Sequence, residues 1–210
     1  MAAELYLTEI DELLRRDHSH LTADDECLFI REYTSGAGFA HSDTNDLISN
    51  FKKPVTKKGT AEWKYKEAAV KHIAAELGGV LNPAFVKAAT FVPMPPSKKR
   101  GDPDHDDRLV RMLRLLGGGT ADVRELLVAV ENREAFHTST ARRDIAAMVE
   151  NLAIDPSCLR PRPAQIAIVD DILTTGAQYR AAVTVIGRQL PGVPVVGLFV
   201  ARRVFPEPQP

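Results

Sequence analysis

Short runs of consecutive apolar residues, separated by amphipathic stretches, constrain this chain more than any other feature of its sequence. The clearest runs lie within 88–94, 166–169 and 195–200, and their length favours strands. Strands that are apolar on both faces, with helices between them, are typical of a parallel sheet covered on both sides. We therefore predict an α/β fold with a doubly wound, mainly parallel sheet flanked by helices.

Two further strands are predicted at 27–33 and 126–130, although the second run is ambiguous between strand and helix. Asp102 and Pro103 suit the cap and the first residue of one predicted helix. Helices are predicted where apolar residues recur at helical spacing, namely at 4–16, 60–77, 103–116, 140–152 and 177–190. In a sheet of this kind, ligands bind beyond the carboxyl ends of the strands, so we expect the site just after residues 94, 130 and 169.

The composition excludes several classes of protein. The 210 residues are 44% apolar and 26% charged, which argues against a disordered or fibrous chain. The 27 Lys and Arg residues face 28 Asp and Glu residues, so a globally basic nucleic-acid binder is not expected. Cys27 and Cys158 are too few for a disulfide framework or a four-cysteine zinc site. No apolar run approaches the ~20 residues of a membrane-spanning helix, and we expect a cytoplasmic protein.

The most informative stretch, residues 166–178, joins a buried strand to a helix through a loop of small residues. Asp170 and Asp171 stand at the carboxyl end of the strand, where they can accept hydrogen bonds from sugar hydroxyls. Gly176 allows the backbone to approach an anion closely, and the start of a helix offers N–H donors and a positive dipole potential. The stretch therefore predicts that the two acids bind a ribose and that the loop binds its 5'-phosphate. The simpler alternative is a turn whose acids only cap the helix.

This stretch resembles the signature of type I phosphoribosyltransferases, in which an apolar strand, two acids and two apolar residues precede a Thr-Thr-Gly-type loop. The resemblance implies that Asp170 and Asp171 hold the ribose hydroxyls of 5-phosphoribosyl 1-diphosphate (PRPP), and both are candidates for holding Mg²⁺ through water. Where this chain has Gln178, the family usually has Ser or Thr, so an amide replaces one hydroxyl. The resemblance further implies that the 5'-phosphate binds the loop residues Thr174, Thr175, Gly176, Ala177 and Gln178.

A strand that enters a Pro-rich basic loop, residues 91–101, supports the same resemblance. It is similar to the pyrophosphate loop of these enzymes, in particular of the ComF-like branch, although the N-terminal zinc-binding cysteines of that branch are absent here. Taken alone, this loop is more simply a solvated basic turn. A diphosphate needs backbone donors and cations at this position, and our candidates are Pro96, Ser97, Lys98, Lys99 and Arg100.

The resemblance also implies a mobile loop that closes over the diphosphate, and the polar segment before the 140–152 helix is the candidate for it. Arg142 and Arg143 would then neutralise the charge of the leaving group, which places them beside Asp170 and Asp171 as catalytic candidates. An exposed polar loop explains this segment equally well.

Three other clusters are given simpler explanations. The acids between 102 and 107 are assigned to the first turn of the 103–116 helix rather than to a metal site, since acids favour that end of the helix dipole. The lysines between 52 and 58 are assigned to a solvated run rather than to a nucleic-acid contact. His18 and His20 are assigned no function.

Taken together, these features predict a Mg²⁺-dependent phosphoribosyltransferase that uses PRPP and an unidentified acceptor and releases pyrophosphate. The alternatives are a non-catalytic PRPP- or nucleotide-sensing regulator and a ComF-like protein associated with nucleic acid, the latter not favoured. We expect no membrane contact, and a homodimer is plausible. The expected organisation is an N-terminal extension or hood (1–60), a phosphoribosyltransferase-like core (61–203) and an extended tail (204–210).

Overall fold

The computed structural model describes residues 5–132 and 145–206, and within them a six-stranded sheet is the main element. The strands of these described residues are β1 (Thr8–Glu9), β2 (Cys27–Thr34), β3 (Thr90–Pro93), β4 (Asp122–Val123), β5 (Leu127–Ala129), β6 (Leu152–Ile154), β7 (Ile166–Leu173) and β8 (Val195–Val204). The main sheet has the order β1-β2-β8-β7-β3-β4, with β1 antiparallel to β2 and the other neighbours parallel. β5 and β6 form a separate antiparallel pair, so the ambiguous 126–130 run is a strand.

Helices connect and cover these strands. They are α1 (Glu12–Arg15), α2 (Asp43–Phe51), α3 (Trp63–Val80), α4 (Pro83–Ala88), α5 (Arg108–Leu113), α6 (Ile145–Glu150) and α7 (Ala177–Gln189). The structure thus confirms an α/β protein with a mostly parallel sheet flanked by helices. The predicted helices at 60–77 and 177–190 are confirmed as α3 and α7, and α3 runs through two glycines to Val80.

The core lies between the sheet and its helices, and β7 is at its centre. Residues 166–169 have no exposed surface, because β3 and β8 pair with the two edges of β7 and apolar side chains cover both of its faces. This arrangement explains the unbroken apolar run, since a strand covered on both faces needs no polar alternation. Phe91 and Val92 on β3 are equally buried.

The N-terminal region differs from its prediction. Instead of a helix over 4–16, β1 pairs with β2, and the short α1 starts after Asp11, whose side chain accepts a hydrogen bond from the Leu14 amide. Ile10 is buried and its amide donates to the Cys27 carbonyl, whereas Leu13 is exposed, so the helical stripe does not face the core. β2 lies inside the main sheet and joins part of the predicted 1–60 extension to it. The hood assignment stays a prediction.

The ends of two other predicted helices differ from the prediction. The 103–116 helix reduces to α5, because the chain turns at Asp102, whose carboxylate accepts from the Asp104 amide at 2.8 Å. Residues 140–144 of the 140–152 prediction lie outside the described part; from residue 145 on, the helix is present as α6, and it ends at Glu150 because Leu152 begins β6. α2 was not predicted, because its polar residues interrupt the apolar spacing.

β8 extends to Val204, so the predicted tail begins as a strand residue, and residues 207–210 lie outside the described part. Across the described ranges, no helix combines the length and the apolarity that crossing a membrane requires.

Candidate functional site

A cavity of about 420 Å³ opens at the carboxyl ends of β3 and β7. From β3 the chain continues to β4 on one side, and from β7 it continues to β8 on the other side. Such a reversal between neighbouring parallel strands is where open α/β sheets bind ligands. The cavity therefore lies after residues 94 and 169, two of the three places that the strand pattern predicts.

Asp171, at the cavity floor, is held between two cations. Lys52 Nζ lies 3.0 Å from its Oδ1, and Arg108 Nη2 lies 2.6 Å from its Oδ2. Burial by itself would raise the pKa of Asp171, but the charges of Lys52 and Arg108 outweigh burial and hold it well below its usual range. Asp171 is therefore a carboxylate at neutral pH, and both of its oxygens are engaged by the protein.

Asp170 is in a different electrostatic environment from its neighbour. Its Oδ1 accepts the backbone N–H of Asp171 at 2.8 Å, while the two cations pair with Asp171 rather than with Asp170. Burial, followed by the nearby negative charge of Asp171, raises the pKa of Asp170 to about 6. Of the two predicted ribose acids, Asp170 is the one that the cations leave available to a ligand.

Behind the cavity wall, Lys66 of α3 has no exposed surface and joins three partners. Its Nζ donates to the carbonyls of Phe51 (2.9 Å) and Lys53 (2.7 Å) and to Asp106 Oδ2 (2.8 Å). Burial lowers the pKa of Lys66, and Asp106 partly offsets this. The two carbonyls flank Lys52 at the end of α2, where helix carbonyls lack helical partners. Lys66 thereby fixes the backbone that carries Lys52.

The loop after β7 begins α7 through a left-handed residue. Gly176 has φ +84°, and a Cβ there would lie 2.6 Å from Leu21 Cδ2, so both the conformation and the space require glycine. Thr174 and Gln178 line the cavity, whereas Ala177 is buried. The predicted phosphate loop thus borders the cavity through its first and last residues.

An N-terminal segment hydrogen-bonds to this loop and holds it in place. The sequence did not indicate this contact. His18 is completely buried, and its Nδ1 donates to the carbonyl of Thr174. The amide of His20 donates to the carbonyl of Thr175 at 2.9 Å. Burial is the main cause that lowers the pKa of His18, which favours the neutral ring. The expectation that His18 and His20 are without a role is wrong for loop placement.

The basic loop after β3 is divided between two locations. Pro96 and Ser97 line the cavity, but Lys98, Lys99 and Arg100 line a separate small crevice beside β5. These three candidates for binding diphosphate are therefore not brought into the cavity.

Acids beside the separate crevice account for this orientation. Lys99 Nζ lies 3.0 Å from Glu131, and Arg100 lies 3.0 Å from Asp155 and 3.4 Å from Glu125. These ion pairs direct the two side chains towards the β5–β6 pair.

The acids between 102 and 107 do not occupy the first turn of a helix, so the capping interpretation is wrong for most of them. Asp104 and Asp106 line the cavity, and Asp106 also pairs with Arg108 at 2.7 Å. Asp107 is the residue that precedes α5. The cluster instead supplies negative charge to the cavity and its wall.

The lysine run is not a uniformly solvated strip. Lys52 turns inward to Asp171, Lys53 donates to Asn50, and Lys57 pairs with Glu62 at 3.1 Å. These contacts weaken the case for a nucleic-acid surface here. Arg142 and Arg143, together with the other candidates of the predicted mobile loop, lie outside the described residues.

The carboxylates of the cavity suit Mg²⁺ only as a partner of a phosphorylated ligand. Across residues 5–132 and 145–206, no group of three or more His, Cys, Asp or Glu side chains is arranged to hold a metal ion. Mg²⁺ typically keeps several waters and uses one or two carboxylates together with substrate phosphates. Asp170 and Asp104, which both line the cavity, fit this requirement.

Comparison with known proteins leaves the site to be interpreted from its own chemistry. No protein-family model matches this chain, and no curated protein matches it either.

Proposed function

We propose that the cavity binds PRPP and that the protein is a phosphoribosyltransferase-like enzyme with a doubly wound sheet of that type. One observation carries the proposal. β7 ends at the cavity with Asp170 and Asp171, and the loop that follows passes through a left-handed Gly176 into the start of α7. A carboxylate pair followed by a helix start combines acceptors for sugar hydroxyls with donors for a phosphate.

Each part of the site then has a distinct task. Asp170 accepts hydrogen bonds from the ribose hydroxyls, and the Thr174–Gln178 loop binds the 5'-phosphate. Mg²⁺, where bound to the ligand phosphates, supplies neutralisation of the diphosphate charge. The bond from the anomeric carbon to the diphosphate breaks, with its electron pair leaving on pyrophosphate. The acceptor forms the new bond to that carbon and releases a proton.

Catalysis of this kind depends on positioning and on charge stabilisation rather than on a protein nucleophile. The ion pair of Asp171 with Arg108 serves positioning, because it holds the end of β7 against α5. The assignment of Arg142 and Arg143 to the leaving group stays a prediction.

The proposal is tested by calorimetric titration of the full chain with PRPP and Mg²⁺, followed by a pyrophosphate-release assay over a panel of nucleobases. We expect saturable binding with a dissociation constant of about 1 μM to 1 mM, the usual range for enzyme substrates. At least one base should then release pyrophosphate. Absence of PRPP binding would refute the proposal.

A second candidate, a PRPP-sensing regulator without turnover, is favoured by one specific observation. Lys52 and Arg108 engage both oxygens of Asp171, so one of the two predicted ribose acids is held in internal ion pairs. Saturable PRPP binding without pyrophosphate release for any acceptor would support the regulator over the enzyme.

A further inference from the structure

The described part of the chain brings few cations to the cavity to meet a polyanionic ligand. Among the described residues that line it, the Lys and Arg side chains are Lys52 and Arg108. The basic residues 98–100 face a different crevice and pair with other acids. Among the described residues, the cations that can contact a diphosphate in the cavity directly are therefore Lys52 and Arg108, and a diphosphate binds best where cationic donors meet it.

Arg108 is a fixed cation. Its Nη1 lies 2.7 Å from Asp106 and its Nη2 lies 2.6 Å from Asp171, and its side chain is only 17% exposed. Its guanidinium also lies over the ring of Phe51, with 5.5 Å between Cζ and the ring centroid. Moving Arg108 to a ligand would break two buried ion pairs at once, which is strongly unfavourable.

Lys52 is held differently. Its side chain is 41% exposed, and it pairs with a carboxylate whose other oxygen is already paired with Arg108. Lysine carries a compact charge on a flexible stem, so its head can change partners while its backbone stays in place. The hydrogen bonds of Lys66 to the carbonyls on either side of Lys52 hold that backbone.

We propose that Lys52 is an exchangeable cation that leaves Asp171 and binds the diphosphate of an incoming sugar diphosphate. The exchange has two consequences: it supplies the cation that the basic loop does not bring, and it releases Asp171 Oδ1 to accept a ribose hydroxyl. Arg108 stays on Oδ2, so Asp171 never becomes an unpaired buried charge. This inference rests on the proposed function, because it assigns the diphosphate of the same ligand.

The test uses Mg²⁺-pyrophosphate as the probe, alongside PRPP, in calorimetric titrations of the full chain. Lys52→Met removes the exchangeable charge. Lys57→Met is the matched control, because Lys57 is 43% exposed and also pairs with an acid but does not line the cavity. We expect Lys52→Met to weaken pyrophosphate binding at least ~10-fold, the loss typical of one charge-assisted hydrogen bond, and Lys57→Met to change it less than ~2-fold.

Two further variants test whether the charge of Lys52 matters and provide for a variant that does not fold. Lys52→Arg keeps a cation and should retain pyrophosphate affinity within ~10-fold, as expected when charge rather than shape dominates. Lys52→Gln replaces Lys52→Met if the latter does not fold, as judged by circular dichroism.

The outcomes separate this inference from the proposed function. Equal pyrophosphate affinity in the wild type and Lys52→Met overturns the inference, and so does absence of pyrophosphate binding to the wild type. If PRPP still binds in either case, the proposed function stands without Lys52. Pyrophosphate binding that depends on Lys52, without any PRPP binding, supports the anion site and refutes the phosphoribosyl assignment.

Discussion

In two basic segments of this chain, the side chains point in directions opposite to those that the sequence suggests. The segment 52–58 has the composition of a solvated run, yet Lys52 turns into the cavity and meets Asp171. The segment 97–100 resembles a diphosphate loop, yet Lys99 and Arg100 turn away towards Glu131 and Asp155. The difference shows that the acids brought near by folding, rather than the local density of lysine and arginine, decide where a cation points.

The largest effect on stability is expected from removing Lys66, whose hydrogen bonds hold the backbone on either side of Lys52. Lys66→Met removes three hydrogen bonds from a fully buried ammonium and leaves two carbonyls beside Lys52 without their donor. We expect a loss of about 3–5 kcal/mol in the free energy of unfolding, as for other buried ion pairs cut on one side. Urea unfolding at pH 7 measures it. Lys71→Met on the exposed face of α3 is the control and should stay within ~0.5 kcal/mol of the wild type.

Removing the acid that Lys52 meets should have the next largest effect. Asp171→Asn leaves Arg108 paired only with Asp106 and leaves Lys52 without its carboxylate. We expect a loss of about 2–4 kcal/mol by the same unfolding measurement. An unchanged stability would show that the ion pairs do not hold the segment after α2 against β7.

Replacing the adjacent acid, Asp170, should raise stability rather than lower it. Burial and the charge of Asp171 raise the pKa of Asp170 to about 6, above its value in the unfolded chain. The neutral carboxyl is thus favoured by the fold, and its contribution is full below about pH 4 and is lost as the pH rises through 6. Asp170→Asn should therefore stabilise the protein at pH 7.5 by up to about 2 kcal/mol.

The pH dependence of this gain identifies its origin. The advantage of Asp170→Asn should shrink towards zero as the pH falls from 7.5 to 4, in unfolding curves recorded at half-unit steps. A gain that is constant over this range would contradict the raised pKa. Asp171 contributes with the opposite sign, because its lowered pKa makes its stabilisation disappear only in acid, below the unfolded value.

Much of the fold follows from local patterns. The apolar runs at β3, β7 and β8 and the stripe of α3 are strong signals, because burial on both faces of a strand or on one face of a helix leaves a direct trace in the sequence. α1 is shorter than predicted because the Asp11 side chain caps its first turn and so sets where it begins, and α5 is shorter because the side-chain turn at Asp102 competes with helix formation.

Only one part of the candidate site could be predicted from the sequence. The strand, the acid pair and the glycine loop are contiguous, so 166–178 could be identified. The partners of Asp171 come from residues 52 and 108, which only the tertiary fold brings together. One signal was available: Lys66 lies three, four and seven residues before Ala69, Val70 and Ile73, on the buried stripe of α3. A lysine on such a stripe indicates a buried cation with a specific partner.

The smallest effect is expected from the second segment. Arg100→Met removes a half-exposed side chain that pairs with Asp155 and Glu125. Exposed ion pairs contribute about 0–1 kcal/mol, and we expect a stability change in that range. PRPP affinity in calorimetry should change less than ~2-fold, because the side chain makes no cavity contact. A loss of ~10-fold or more would restore the diphosphate role that the sequence suggested for this loop.

The central claim is that the cavity at the ends of β3 and β7 binds the ribose of PRPP through its acid pair. Calorimetric titration of Asp170→Asn with PRPP and Mg²⁺ tests it most directly, because this variant is expected to be at least as stable as the wild type. We predict an affinity at least ~10-fold weaker, the loss of a charged hydrogen-bond acceptor for the sugar. A folded Asp170→Asn protein that binds PRPP as tightly as the wild type would contradict the account.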